Sequence, residues 1–519
     1  MLIEEITLAE IVQEATAEFE QSGHAEERKE KGQFFTPVSI AQFMAQQFHF
    51  RGHRFRILDS GAGTGILTAA VCDQVLLSVD RSMEIELVAY ETDDQVLPIL
   101  RETFALIQDR LTEAGHSVEY TVHPEDFVAD NAALFNNGTL FDDNSPFQPF
   151  NFIISNPPYY KLSKSHPLSQ QMAQIVHGQP NIYAFFMAVA AKLLANNGQM
   201  VFITPRSFCS GLYFKEFRKW LLKRLQPTFL HSFESRNETF ENKVLQETII
   251  SKYVKSSDSR DITISHSYNA NFNTSSELWT EKETLIQSED REKIIHIPSN
   301  AQDLEILEIV RNWKHRFMNL GYKISTGPVV KFRATEYLDM HPEFDGEKRI
   351  PLLWMNHFEN YHIIFPKVEL EKPQVMQVSS DSFNLVLDNQ NYVLVKRFSS
   401  KEQKRRVYAA IYLAEQFDIK YVTFENHLNY VWKPSGALTE IEAFGIMAML
   451  NSTLIDRYFR IVNGNTQVNA GEINNMPFPQ REKVEAIGLR AQRSEKLNQQ
   501  RIDSIIHSEL ELSLKAKEL

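Results

Sequence analysis

Four consecutive residues, Asn156-Pro157-Pro158-Tyr159, carry the clearest chemical signal in this chain. Two successive prolines fix the backbone and remove two donors, which leaves the Pro157 carbonyl free to point outward. An exocyclic amine has two hydrogens and a lone pair delocalised into its ring. If the Asn156 side-chain oxygen and the Pro157 carbonyl each accept one hydrogen, that nitrogen is drawn towards sp³ and its lone pair is aimed at a methyl donor. Tyr159 can stack on the ring. On its own, Pro-Pro-Tyr is more often a proline-stiffened turn. What changes the odds is a second constellation upstream.

Asp59-Ser60-Gly61-Ala62-Gly63-Thr64-Gly65 follows a short apolar run and opens a helix. Glycines there admit positive φ and a close backbone approach. The spacing is not the Gly-x-Gly-x-x-Gly of dinucleotide enzymes, and no Lys-Ser/Thr follows, so it is not a phosphate-binding P-loop. A helix start favours anions, which suits the methionine carboxylate of S-adenosylmethionine. Glu91, at the end of the next apolar run, is placed to accept both ribose hydroxyls. Asp126 can hold the adenine amine, with Phe127 stacking on the ring.

These residues need elements to position them. Arg56–Asp59, Ile85–Tyr90, Val118–Val122, Phe150–Ile154 and Gln199–Thr204 read as strands. Helices are expected over 3–30, 38–48, 66–77, 94–114 and 184–194, with a basic amphipathic helix over Lys215–Arg224. Thr248–Tyr253 is expected to close the alternation. Strand, glycine turn, helix is the start of a doubly wound Rossmann-like α/β domain, whose ligands sit at the carboxyl ends of the strands. The expected organisation is a catalytic domain over 1–256, with a helical segment 1–31, then a linker over 257–289. A mixed α/β domain over 290–480 and a helical tail over 481–519 complete it.

Composition sets the outer bounds. The 519 residues are 43% hydrophobic and 23% charged, an ordinary globular balance. Two cysteines, Cys72 and Cys209, exclude a disulfide framework and a Cys-x-x-Cys metal pair. The 16 histidines show no metal-ligand spacing. The acidic start and the lack of a long apolar run predict a cytoplasmic protein with no membrane partner. The net charge of −13 argues at first against a polyanionic partner. By segment, however, residues 1–150 carry −17, residues 151–240 carry +7 and residues 241–519 carry −3. The bases begin at the proline turn. A second basic cluster runs through Lys396, Arg397, Lys401, Lys404, Arg405 and Arg406.

Taken together, these motifs resemble the gamma-class adenine-specific (N6) DNA methyltransferases of bacterial type II restriction–modification systems. Gly32-Gln33-Phe34-Phe35-Thr36-Pro37 resembles their amino-terminal cofactor motif, and Asp59–Gly65 their methionine-binding loop. Further likenesses are Arg397-Phe398-Ser399-Ser400-Lys401-Glu402 and Glu425-Asn426-His427-Leu428-Asn429-Tyr430. Asn465-Thr466-Gln467-Val468-Asn469 and Asn475-Met476-Pro477-Phe478-Pro479 complete the set. The resemblance implies S-adenosylmethionine bound by Phe34, Thr36, Pro37, Asp59, Gly61, Gly63, Gly65, Glu91, Asp126 and Phe127. It implies catalysis by Asn156, Pro157 and Tyr159, and a second aromatic against the flipped base, for which Tyr253 is the candidate. It assigns residues 290–480 to DNA target recognition.

The expected partners are duplex DNA and a separate endonuclease acting on the same site, with the chain a monomer or weak dimer. The alternatives are an RNA or protein-glutamine N-methyltransferase, a non-catalytic DNA-binding specificity component, or a dehydrogenase. Cytosine C5 chemistry would need a cysteine after proline, but Phe208 precedes Cys209 and Val71 precedes Cys72.

Overall fold

Apolar strands alternating with helices from residue 54 onward build a nine-stranded sheet. Its members are β1 (Arg54–Asp59), β2 (Glu84–Tyr90), β3 (Ser117–His123), β4 (Phe150–Ser155), β5 (Leu194–Pro205), β6 (Gln226–Phe233), β7 (Thr248–Val254), β8 (Asp261–Ser267) and β9 (Ser275–Glu281). In space they run β3-β2-β1-β4-β5-β7-β6-β8-β9. The first five strands are parallel, and β7 is inserted antiparallel between β5 and β6. Chain order reverses between β1 and β4, so the crevice of a doubly wound sheet opens at their carboxyl ends. This computed structural model describes residues 6–21, 35–135, 148–175, 178–234, 247–256, 261–272, 275–399, 403–464 and 467–512. The chain divides into two compact units, Met1–Ser299 and Asn300–Leu519.

Around the first sheet lie α1 (Leu8–Gln21), α2 (Val38–Ala45), α3 (Ile66–Ser78), α4 (Leu97–Glu113), α5 (Phe127–Asn131), α6 (Pro167–Gln171), α7 (Ile182–Leu193) and α8 (Lys215–Arg224). Helix α3 is apolar all round and buried from Ile66 to Asp73, so it sits inside the layer stack and not on its surface. Asp73 accepts the first backbone N–H groups of α1, at 2.9 Å from Leu8 and 3.0 Å from Ala9. A buried carboxylate thereby caps the amino-terminal helix and fastens it over the sheet.

Two expectations change here. The sheet does not close at β7. Residues 261–281, read from sequence as part of a linker, form β8 and β9 on its far edge, with Ile262 and Ile264 fully buried. Alternation with polar neighbours, as in Asp261-Ile262-Thr263-Ile264-Ser265, was the signal for a half-buried strand. The helix expected over 3–30 is observed as Leu8–Gln21; residues 1–5 and 22–34 lie outside the described residues.

The second unit holds a six-stranded sheet containing Lys323–Thr326, Leu428–Trp432, Tyr392–Lys396 and Ala409–Tyr412 in that order. A five-stranded sheet is centred on Arg349–Leu353 and Tyr421–Phe424. Its helices include Glu440–Asn451, Arg481–Gln492 and Gln499–Glu509. The residues expected as a tail are packed in this unit: Val484, Ile487, Ile502, Ile505 and Ile506 are all fully buried. Gly445 and Gly488 let two of these helices touch backbone to backbone. A Cβ on Gly488 would lie 1.9 Å from the Ile441 carbonyl oxygen, and one on Gly445 2.1 Å from that of Val484. Among the described residues no helix is long and apolar enough to cross a membrane.

Candidate active site

The carboxyl ends of β1, β2 and β4 open onto one cavity of about 370 Å³. Its floor is the glycine turn, with Ser60, Gly61 and Gly63 on the wall. Gly63 has φ 54° and Gly65 φ 90°, both left-handed. Each is also crowded: a Cβ on Gly63 would lie 3.3 Å from the Phe35 ring, and one on Gly65 2.9 Å from Thr103 on α4. Phe35 thus lies over the glycine turn and lines the cavity, which brings the amino-terminal motif to the loop it was expected to serve. Phe34 is outside the described residues.

Glu91, the residue that follows β2, is oriented by backbone. One oxygen accepts the Gly63 N–H at 2.8 Å; the other accepts Thr92 and Asp93 at 2.8 Å each. Burial raises its pKa and these three donors oppose the rise. Asp59 is fully buried beneath the turn and not on the cavity wall; it accepts the Thr68 hydroxyl at 3.0 Å, and burial pushes its pKa up to about 7. Ser60 Oγ is buried and has no hydrogen-bond partner among the described residues. Asp126 caps α5 by accepting the Ala129 N–H at 2.8 Å and lines the cavity with Phe127. Phe127 is almost wholly buried, edge-on to Tyr90 at 5.2 Å. It forms the back wall and not an open stacking face.

At the end of β4, Asn156 and Pro157 line the same cavity. The Asn156 amide is held at both ends. Its nitrogen donates to the Thr36 hydroxyl at 3.0 Å, and its oxygen accepts from the Tyr159 hydroxyl at 2.6 Å. The Tyr159 hydroxyl also lies 3.0 Å from the Ile203 carbonyl of β5. Burial raises the Tyr159 pKa, so the hydroxyl stays protonated as a donor. No backbone donor meets the Pro157 carbonyl among the described residues.

The structure therefore gathers Gly61, Gly63, Glu91, Asp126, Phe127, Asn156 and Pro157 around one space, with Thr36, Asp59 and Gly65 supporting it, whereas Pro37 caps α2 and is not on the wall. Two placements differ from expectation. Tyr159 is off the cavity wall, its ring edge-on to Tyr183 at 6.2 Å, and the neighbouring Tyr160 lines the cavity instead. Tyr253 is at the wrong end of the sheet. The carboxyl end of β5, Pro205, pairs with Thr248 at the start of β7, whereas Tyr253 pairs with Met200 and is fully buried. It is a core residue and cannot stack on a ligand. Sequence reading missed Phe186 and Val96 on the wall; Phe186 comes from an apolar helix and Val96 from the turn before α4, and neither carries a chemical mark.

An open α/β sheet with this strand order, a glycine turn and an acid at the end of β2 defines the Rossmann-like methyltransferase class. Residues 87–240 match the family described as Eco57I restriction-modification methylase. The chain is 36% identical over 465 residues to the type II methyltransferase M.BsuBI of Bacillus subtilis, spanning 89% of this chain and 90% of that one. It is 33% identical over 487 residues to the type II methyltransferase M.PstI of Providencia stuartii, spanning 93% and 94%. The chain belongs to the type II methyltransferase family. Among solved structures, the type IIL restriction-modification enzyme MmeI in complex with DNA shares the fold. The match has a TM-score of 0.55 at 13% identity, covering 97% of this chain and 74% of that one.

Proposed function

We propose that this chain transfers a methyl group from S-adenosylmethionine to the N6 amine of an adenine held out of duplex DNA at a short specific sequence, modifying host DNA in a restriction–modification system. The observation that carries the reading is the Asn156 amide, fixed by Thr36 and Tyr159 beside a Pro157 carbonyl that no backbone donor engages among the described residues.

The cavity residues fit the cofactor. Ser60 Oγ and the glycine-turn backbone are set to receive the amino-acid end, and Glu91 the ribose hydroxyls. Asp126 would hold the adenine amine, with Phe127 and Phe35 as apolar walls of the cavity. S-adenosylmethionine bound there supplies an electrophilic methyl on a positively charged sulfur.

The chain's own part is positional and electrostatic. A base in a duplex cannot present its amine, so it must leave the stack. Asn156 Oδ1 and the Pro157 carbonyl then accept the two amine hydrogens and stabilise the positive charge that grows on nitrogen, which is the main lever of such a site. Tyr159 acts through Asn156, and its ring is also proposed to meet the base once its hydroxyl contact is exchanged.

The second unit supports a DNA partner. Arg397 donates to the Asn426 carbonyl at 3.1 Å, and Phe398 packs edge-on to His427 at 4.8 Å. The loop carrying Lys331, Phe332 and Arg333 is tied to the same edge by Asn426 N–H to the Val329 carbonyl at 2.8 Å. Cations beside exposed rings suit phosphates and bases. Part of the cluster flagged from sequence is structural: Arg406 is buried against Ser399 and Arg405 bonds the Asn451 carbonyl. Ser400, Lys401, Glu402, Asn465 and Thr466 lie outside the described residues. A separate endonuclease for the same site, and a monomer or weak dimer, belong to this proposal.

The test is Asn156→Ala. Cofactor affinity by calorimetry should stay within about threefold while methylation of DNA falls at least about a hundredfold. Near-normal turnover in that variant removes the catalytic assignment.

A further inference from the structure

Beside the catalytic turn, a second turn presents two large apolar side chains to solvent. Leu212 is 53% exposed and Tyr213 56% exposed. They are neighbours in a short helical turn, Leu212–Phe214, that leads into α8. Exposed apolar pairs cost solvation and call for a partner.

This turn is rigidly mounted. The guanidinium of Arg218 is fully buried and donates to the carbonyls of Phe208 at 2.9 Å, Gly211 at 2.7 Å and Glu292 at 3.0 Å. Gly211 is needed where it stands: a Cβ there would lie 2.6 Å from the Ser207 carbonyl oxygen. Phe214 stacks on Tyr183 at 5.5 Å, and Tyr183 in turn packs edge-on to Tyr159 of the catalytic turn. The Tyr213 ring lies against Gly178, where a Cβ would come within 2.2 Å of it. The turn that carries the exposed pair is therefore joined to the catalytic turn through the Phe214 and Tyr183 rings.

Charge selects the partner. The 72 residues from Asn144 to Lys215 contain no Asp or Glu, in a chain with 67 of them. That stretch includes the catalytic turn, the exposed Lys161 and Lys164, and the Leu212–Phe214 turn. A stretch of chain free of acids, carrying exposed Lys161 and Lys164 together with this apolar pair, suits a polyanion whose interior is apolar, which is a base-paired duplex.

We propose that Leu212 and Tyr213 form a wedge that fills the stack left by the extruded base, holding the duplex open while Asn156 engages the amine. The proposal rests on the base-extruding reading above. Side chains inserted between base steps are a recurrent way to stabilise an unstacked duplex, and a base that is already unpaired needs less such help.

The test uses the full chain and its L212A/Y213A variant on a duplex carrying the mapped target site, compared with the same duplex having an abasic position opposite the target adenine. The variant should keep its melting temperature and cofactor affinity, since both side chains are largely solvated. Methylation of the paired duplex should fall at least about tenfold and recover to within about threefold of the parent on the abasic duplex. With 2-aminopurine at the target position, the parent should raise fluorescence on binding and the variant should not. Paired-duplex methylation within threefold of the parent, or equal losses on both duplexes, overturns the wedge. A parent that methylates neither duplex overturns the reading on which it rests.

Discussion

The side-chain nitrogen of Asn156 donates to the hydroxyl of Thr36 at 3.0 Å, across 120 residues of sequence. An amide has one donor end and one acceptor end. Engaging the donor end with Thr36 fixes which end is left to accept, so an amino-terminal threonine sets the polarity of the catalytic amide. Thr36 is thereby a positioning residue as well as a member of the cofactor motif. Thr36→Val should lower kcat about tenfold with a smaller change in KM, and Thr36→Ser should restore most of it. Equal behaviour of the valine and serine variants in steady-state kinetics would show that the hydroxyl does not orient the amide.

The proposed cofactor site predicts that Asp59 makes cofactor binding pH-dependent. Its folded pKa is raised to about 7, above the ordinary carboxyl value, because it is fully buried. The sign follows from linkage: the folded chain holds this proton more tightly than the unfolded chain. The stabilisation is thus complete below the ordinary carboxyl pKa and is lost as pH rises through about 7. A cationic ligand above the turn favours the carboxylate and expels the proton. Calorimetry at pH 6 in buffers of different ionisation enthalpy should show proton release on cofactor binding, approaching one proton, and Asp59→Asn should abolish it. Buffer-independent heats in the parent would refute the coupling.

Gly488→Ala should destabilise the second unit by about 2–3 kcal/mol, although alanine is the better helix former, because its Cβ would collide with the Ile441 carbonyl. Gly471→Ala, where no atom of the described residues lies within 4 Å, is the control and should stabilise by about 0.5–1 kcal/mol. Denaturant melts of the two variants shifting in the same direction would contradict the packing argument.

Salt titrations of DNA binding report on the cations of the second unit. Among the described residues neither Lys331 nor Arg333 is paired with a carboxylate. Replacing both by Ala should reduce the slope of log affinity against log salt by about two, because each phosphate a cation neutralises adds about 0.9 to that slope. An unchanged slope would take that loop out of the DNA interface.

How much of this was legible in sequence varied by element. The glycine turn, Glu91 and Asn156-Pro157-Pro158-Tyr159 announce themselves because strained backbone and unusual donor removal leave few residue choices. The helix over Lys215–Arg224 was read to the residue, since its apolar positions recur at helical spacing between clear charges. Tyr253 was misplaced because direction within a sheet is a tertiary property: β7 runs antiparallel, so its late residues point away from the site. The strands at 261–281 were missed because a serine-rich approach suggested a linker. Phe186 was invisible because an apolar helix gives no sign of which ring meets a cavity.

The central claim is that an adenine amine is the methyl acceptor. The direct measurement is to express the chain in a host free of DNA methylation, digest the genomic DNA and identify the modified nucleoside by mass spectrometry, with single-molecule sequencing to place it. The account predicts N6-methyladenine confined to one recurrent short motif, and none when Asn156→Ala is expressed instead. N4-methylcytosine in place of methyladenine, or unmodified DNA from the parent chain, would contradict it.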